Sequence, residues 1–324
     1  MGSSEKGRGI GFQVNAVVCI GVVLMVTILM AFVGYRSYDT MLANGTREKY
    51  NELGMKMAPI QERYSTVYQS AKSLAARIEQ ITALPPEQRS RDDVVRALEA
   101  TIAANPNIVG TGACFEPNAF DGQDTAFANT EFSDASGRVI PYAAKDPSGN
   151  IVISPLTGYE TDDWYQSPRT TQKITLSEPY WYNATPTTKY YMLTVSVPIM
   201  ENGRFIGAVT VDFDIAPFQR DLASMSRPDN FFVIFSPKGT VFAHGVKPEN
   251  ASKSIFDLVS VNESEGQKFF GKDLYTFEKI SESTGEASTY IFQPVVFDGV
   301  EQPWGALVVV SNKLFTGTAK ELVI

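Results

Sequence analysis

From Gly9 to Tyr35 the chain carries no charged residue, and residues 14–33 are apolar apart from Asn15, Gly21 and Thr27. About 20 apolar residues are enough for a helix to cross a bilayer. A signal peptide has a shorter apolar region and a small-residue cleavage site, and no clear Ala-x-Ala follows here. The segment 11–35 is therefore predicted to be an uncleaved membrane anchor. Lys6 and Arg8 place residues 1–10 on the cytoplasmic side, although Arg36, Arg47 and Lys49 follow on the other. The remaining chain, about 290 residues, is then extracytoplasmic.

Four Asn-x-Ser/Thr triplets start at Asn44, Asn183, Asn250 and Asn262. They read as chance, because an extracellular eukaryotic domain of this size usually carries several paired cysteines. Only Cys114 lies outside the anchor. A bacterial cell (inner) membrane, with the bulk of the chain in the periplasm or extracellular space, fits better.

The formal charge of −8 disfavours nucleic acid as a partner. One histidine, His244, and two cysteines remove zinc sites, Cys–His pairs and disulfide scaffolds. No Gly-x-Ser-x-Gly or His-Glu-x-x-His motif is present. No enzyme activity, cofactor or metal is expected, and His244 reads as a strand-end hydrogen-bonding residue. A hydrolase using only carboxylates and an adhesion ectodomain are distant alternatives. So is a calcium site built from Asp121, Glu160, Asp162 and Asp163, carboxylates that suit hard cations.

Past the anchor, Met57, Ile60, Tyr64, Val67, Ala71, Leu74, Ile78 and Ile81 alternate by three and four. That spacing is one face of a helix, either a dimer seam or a face packed on the protein's own sheet. Pro59 is expected to interrupt or kink it, and Pro85-Pro86 to end it. Ser90 caps a second helix, with Asp93 three residues on. Strands are predicted at 108–115, 190–198 and 205–215, the last two joined by an Asn202-Gly203 turn. In the later strand Val209, Val211 and Phe213 face one side, and Ala208, Thr210 and Asp212 the other. A short helix over 217–225 follows, then strands at 231–235, 240–244, 269–271, 274–277, 288–297 and 304–311. The order of sheet elements occurs twice, roughly at 107–215 and 231–311.

The run Tyr159-Glu-Thr-Asp-Asp-Trp-Tyr-Gln-Ser-Pro168, then Ser177-Glu-Pro-Tyr180, Met192-Leu-Thr-Val-Ser-Val-Pro198 and Gly203-Arg-Phe-Ile-Gly-Ala-Val-Thr-Val-Asp212 resembles the double Cache sensor family. Ser236-Pro-Lys-Gly-Thr-Val-Phe-Ala-His244 resembles the opening hairpin of that family's membrane-proximal module. The resemblance implies an α+β fold: a transmembrane helix continuing into a long helix, then two stacked PAS-like modules with antiparallel sheets. It implies a connecting helix over 36–89, a membrane-distal module over 90–228, a proximal module over 229–313, and a segment 314–324 leading toward a second membrane helix. It implies the ligand sensor of a chemoreceptor or a sensor histidine kinase, and the heptad-like stripe from Met57 to Ile81 predicts a homodimer formed along this helix.

In amino-acid sensors of this family an Arg two residues before the Trp holds the ligand carboxylate, and an Asp late in the later strand holds its ammonium. Here the Trp is Trp164, the position two before it is Asp162, and the strand acid is Asp212. The family's Tyr-x-Asp becomes Tyr180-Trp181-Tyr182. The resemblance therefore marks Asp162, Trp164, Tyr180, Tyr182 and Asp212 as ligand-binding, with an amine or other cation as the small-molecule ligand. Two carboxylates and several aromatic faces suit an ammonium group.

Overall fold

The structure, a computed structural model, describes residues 10–315. The expected cytoplasmic N-terminus and the exit segment over 314–324 lie almost wholly outside the described residues. Helix α1 runs from Ile10 to Thr82, 73 residues, about 110 Å at 1.5 Å per residue. Its N-terminal part contains a stretch long and apolar enough to cross a membrane, none of it buried.

Pro59 lies inside α1 without interrupting it. A proline in a helix interior costs about 3 kcal/mol or more. Here the flanking stripe is fully packed: Leu53, Ile60, Val67, Ala71 and Ile78 are completely buried. That burial offsets the lost backbone hydrogen bond. The stripe from Met57 to Ile78 thus belongs to the chain's own core, with Ile81 partly buried against it. A dimer seam along these residues would have to expose that core.

Ser90 accepts a hydrogen bond from the Asp93 amide and starts α2 (Arg91–Ala104). The first sheet contains β1 (Ile108–Phe115), β2 (Pro141–Lys145), β3 (Ile151–Pro155), β4 (Thr175–Leu176), β5 (Tyr180–Thr185), β6 (Thr188–Glu201) and β7 (Arg204–Asp214). The strand order is β3-β2-β1-β7-β6-β4, with β5 also paired to β6. Helix α3 (Asp163–Thr171) lies between β3 and β4, and α4 (Ala216–Met225) leads to the second sheet. That sheet has β8 (Asn230–Phe235), β9 (Val241–His244), β10 (Tyr275–Ile280), β11 (Ala287–Val295) and β12 (Trp304–Ser311), in the order β10-β11-β12-β8-β9. The pairings in both sheets are antiparallel.

Three details depart from the sequence reading. Residues 269–271 are not a strand: Gln267–Phe270 is a 3-10 turn, held by Phe269 stacking on Phe292 at 3.8 Å. The segment around Trp164, for which the sequence reading gave no element, is the first turn of α3. Strands β2 to β5 were not anticipated.

The first sheet buries one face against α1 and α2 in a core that continues into the second sheet. Its other face carries Cys114, Tyr142, Leu156, Trp164, Tyr165 and Ala208. Burial pushes the Cys114 thiol up to about 12, Arg138 only partly opposing it, so this cysteine is a small hydrophobe rather than a nucleophile. Cys114→Ala is expected to cost about 1 kcal/mol of stability and to leave ligand response intact. Rapid alkylation of Cys114 by iodoacetamide in the folded protein would contradict this.

At the end of the described chain Phe315 is buried. It sits against α1 at Gly45, where an added Cβ would lie 2.3 Å from the Phe315 ring.

Candidate functional site

The alternation along β7 puts Asp212 on the face away from α1. There it is 3% exposed. Its cross-strand neighbours are Thr194 on β6 and Gly110 on β1. Thr194 Oγ1 donates to Asp212 Oδ1 at 2.7 Å, and Tyr142 Oη donates to Oδ2 at 2.8 Å. Gly110 makes room for this second bond, since a Cβ there would lie 2.0 Å from Tyr142 Oη. Burial pushes the Asp212 carboxyl up to about 6, against the pull of the two hydroxyls. Among the described residues it makes no ion pair.

Tyr180, the first residue of β5, has its hydroxyl 2.7 Å from Thr194 Oγ1. Tyr182, two residues on, faces the same way, its hydroxyl 3.3 Å from Thr157 Oγ1 and its ring edge-on to Tyr142 at 5.6 Å. Burial first, then the Asp212 charge, holds the Tyr142 and Tyr180 hydroxyls well above their ordinary value. Burial also raises Tyr182, with Asp212 and Asp162 both adding to the rise. All three phenols therefore keep their protons at neutral pH.

Asp162 is the residue before α3. Its side chain does not cap the helix but accepts from Thr161 Oγ1 at 3.2 Å. It makes no ion pair among the described residues, whereas its neighbour Asp163 pairs with Lys238 at 3.2 Å. Trp164 is buried beside it. Asp162, Trp164, Ser177, Glu178, Tyr180 and Trp181 bound an open cleft of about 430 Å³, within the size range of small-molecule sites. Among the described residues no Lys or Arg lines it, and Lys238 reaches it only through its pair with the lining Asp163. Arg138, on this face, donates to the Phe115 carbonyl and the Tyr165 hydroxyl.

Of the five residues marked from the sequence, Asp162, Trp164 and Tyr180 meet at the cleft. Tyr182 and Asp212 form a layer behind it, joined to Tyr180 through Thr194 and Tyr142. Those two joining residues, and Gly110, were missed. Register alone identifies Thr194, because it is the position opposite Asp212.

The calcium alternative fails on geometry. Asp121 pairs with Arg91 at 2.7 Å, and no group of three or more metal-ligating side chains converges among the described residues. His244 ends β9 and is neutral: burial, then Lys247, holds its imidazole down to about 4. Its Nδ1 accepts from the Lys247 amide at 3.2 Å.

Residues 94–220 match the family described as methyl-accepting chemotaxis protein-like, first PDC sensor domain. The methyl-accepting chemotaxis protein TlpQ of Pseudomonas aeruginosa is 26% identical over 143 residues, 40% of this chain and 20% of TlpQ. The chain thus spans about a fifth of the length of that relative. An extracellular domain assigned to a histidine kinase, mmHK1S-Z3, is similar with a TM-score of 0.70 and 23% identity, over 87% of this chain and 98% of that one. The ligand-binding domain of the P. aeruginosa PAO1 amino acid chemoreceptor PctC, in complex with GABA, has a TM-score of 0.54 and 15% identity, over 81% of this chain and 99% of that one. At these identities the structural likeness is one of fold: a long helix followed by antiparallel-sheet modules.

Proposed function

We propose, from the premise that this chain carries a double Cache (PDC) sensor domain, that it senses a small cationic molecule, an amine foremost, outside the cell and signals across the inner membrane. The apolar part of α1 is the anchor, residues 90–228 the ligand-binding distal module and residues 229–313 the proximal one. The observation that carries the ligand class is the cleft itself. It presents Asp162 without a cationic partner, backed by the buried Asp212 and flanked by aromatic faces. An ammonium placed there gains charge-assisted hydrogen bonds and cation–π attraction of about 0.5–2 kcal/mol per face. A free carboxylate would meet Asp162 and Glu178 in the lining, while Lys238 at the rim is already paired with Asp163.

The test is thermal-shift screening of the purified protein with amines, amino acids, organic acids and purines. Amines are expected to raise the melting temperature. Calorimetry on Asp162→Asn should then show at least a tenfold loss in affinity, because the change keeps the shape and removes the charge. Tight binding of a dicarboxylate, or amine binding indifferent to that substitution, would defeat the reading.

A chemoreceptor output is the first choice, with a histidine kinase as the alternative that the mmHK1S-Z3 fold likeness keeps in view. A receptor homodimer would use the exposed flank of α1, where Met55 is 69% exposed, rather than the buried stripe. Single cysteines at position 55 should crosslink in membranes and those at position 60 should not.

A further inference from the structure

Hydroxyl protons can be counted behind the cleft. Each hydroxyl has one hydrogen to give. Thr194 gives its own to Asp212 Oδ1 at 2.7 Å, and an ionised carboxylate has none to return. The contact of 2.7 Å between Tyr180 Oη and Thr194 Oγ1 must therefore be made by the tyrosine proton. The hydrogen bonds run one way, from Tyr180 to Thr194 to Asp212. Tyr142 points its proton at the same carboxylate from the other side. Tyr180 lines the cleft, and with its proton committed inward its oxygen offers lone pairs alone.

We infer that Thr194 is a positioning residue that sets the polarity of the ligand. By taking the Tyr180 proton it makes the Tyr180 oxygen an obligatory acceptor, so the cleft admits a hydrogen-bond donor such as a primary ammonium and rejects a carboxylate. The buried charge of Asp212 is thereby felt at the cleft, although Asp212 does not line it. This rests on the cation reading above and adds to it a residue that touches no ligand. Thr194 is buried in the middle of β6, where valine has the same shape and suits a strand. Thr194→Val leaves Asp212 in place but frees the Tyr180 proton to turn toward the cleft. Tyr180 can then serve a donor or an acceptor alike.

The test uses two probes of equal length and opposite polarity, n-butylamine and butyrate. Binding to the full chain in detergent is measured by calorimetry at millimolar concentration. The wild type and Thr194→Ser are expected to prefer the amine, and Thr194→Val to narrow that preference at least tenfold. A merely structural role for Thr194 would weaken both probes together and leave the ratio unchanged. An unchanged ratio in Thr194→Val overturns the inference while leaving the cation reading intact. A wild type that favours butyrate, or binds neither probe, overturns both. Should Thr194→Val fail to fold, Tyr180→Phe carries the test. It removes the accepting oxygen and must lose butylamine without gaining butyrate, and retention of butylamine binding refutes the proposal.

Discussion

Replacing Arg91 by Met is expected to destabilise the protein by about 3–5 kcal/mol, the cost of breaking a buried ion pair from one side. Arg91 Nε and Nη2 hold both oxygens of Asp121 at 2.7 and 2.8 Å. Nη2 also reaches Asp124 Oδ1 at 3.2 Å and Nη1 the Gly137 carbonyl at 2.8 Å, and the guanidinium lies 4.0 Å from the Phe127 ring centre. All three charged side chains are buried. Methionine fills much of the volume but abandons two carboxylates in an apolar setting. Against a total stability of about 5–15 kcal/mol, the loss is large.

The pH dependence carries the signature. Burial alone would raise the Asp121 carboxyl, but the hydrogen bonds and charge of Arg91 and the Gln123 amide outweigh it and hold the group below its ordinary value. In the wild type this contribution is present above the unfolded carboxyl range and is lost as pH falls through the folded one. Without Arg91, burial wins and the folded state binds protons more tightly, so stability should rise as pH falls from 7 toward 5. Urea unfolding at the two pH values measures both effects. A variant within 1 kcal/mol of wild type at pH 7 would show that this cluster is not what anchors the 116–140 region to α2.

The Asp212 carboxyl behaves in the opposite sense. Its folded value is raised by burial from 3.8 to about 6. The folded state then holds its proton over a range where the unfolded chain has released it. Stability is lost as pH rises from about 4 to about 6, by about 3 kcal/mol in all. Asp212→Asn removes that loss. The variant is expected to be more stable than wild type at pH 7 by up to about 3 kcal/mol, with thermal unfolding nearly flat between pH 4 and 7 as far as this group is concerned. Amine affinity should fall as well, because the charge that Thr194 and Tyr180 carry toward the cleft is gone. Stability rising while binding weakens is the pattern expected of a charge held at a structural disadvantage behind a ligand site. An Asp212→Asn protein less stable than wild type at pH 7 would show that Tyr142 and Thr194 already compensate the charge.

Periodicity made much of the fold readable. Residues 57–81 repeat by three and four because one helix face meets the sheets. The alternation from Ala208 to Phe213 separated the core side of β7 from the side that carries Asp212. Asn202-Gly203 marked its hairpin, and both residues take positive φ there. What stayed hidden lacks a local pattern. Strand β2 reads Pro-Tyr-Ala-Ala-Lys and is covered on both faces, so neither alternation nor branched residues announce it. Helix α3 has nine residues with Pro168 inside and too few turns for a stripe. Thr194 and Tyr142 were missed as partners of Asp212 because register across four strands, β2-β1-β7-β6, decides which hydroxyls meet a carboxylate. The heptad-like spacing from Met57 onward fitted a seam and a core equally well, and only the position of the sheets distinguishes them.

The seat of Phe315 at Gly45 works as a mechanical detent. One turn to either side along α1 stand Met41 and Lys49, both with long side chains where Gly45 has none. With its ring filling the space a Cβ would need, Phe315 ties the end of the described chain to one position on α1. A bulkier residue at position 45 would fill the notch and leave the two elements without a shared reference point. The segment that follows the second sheet is therefore referenced to one glycine on α1.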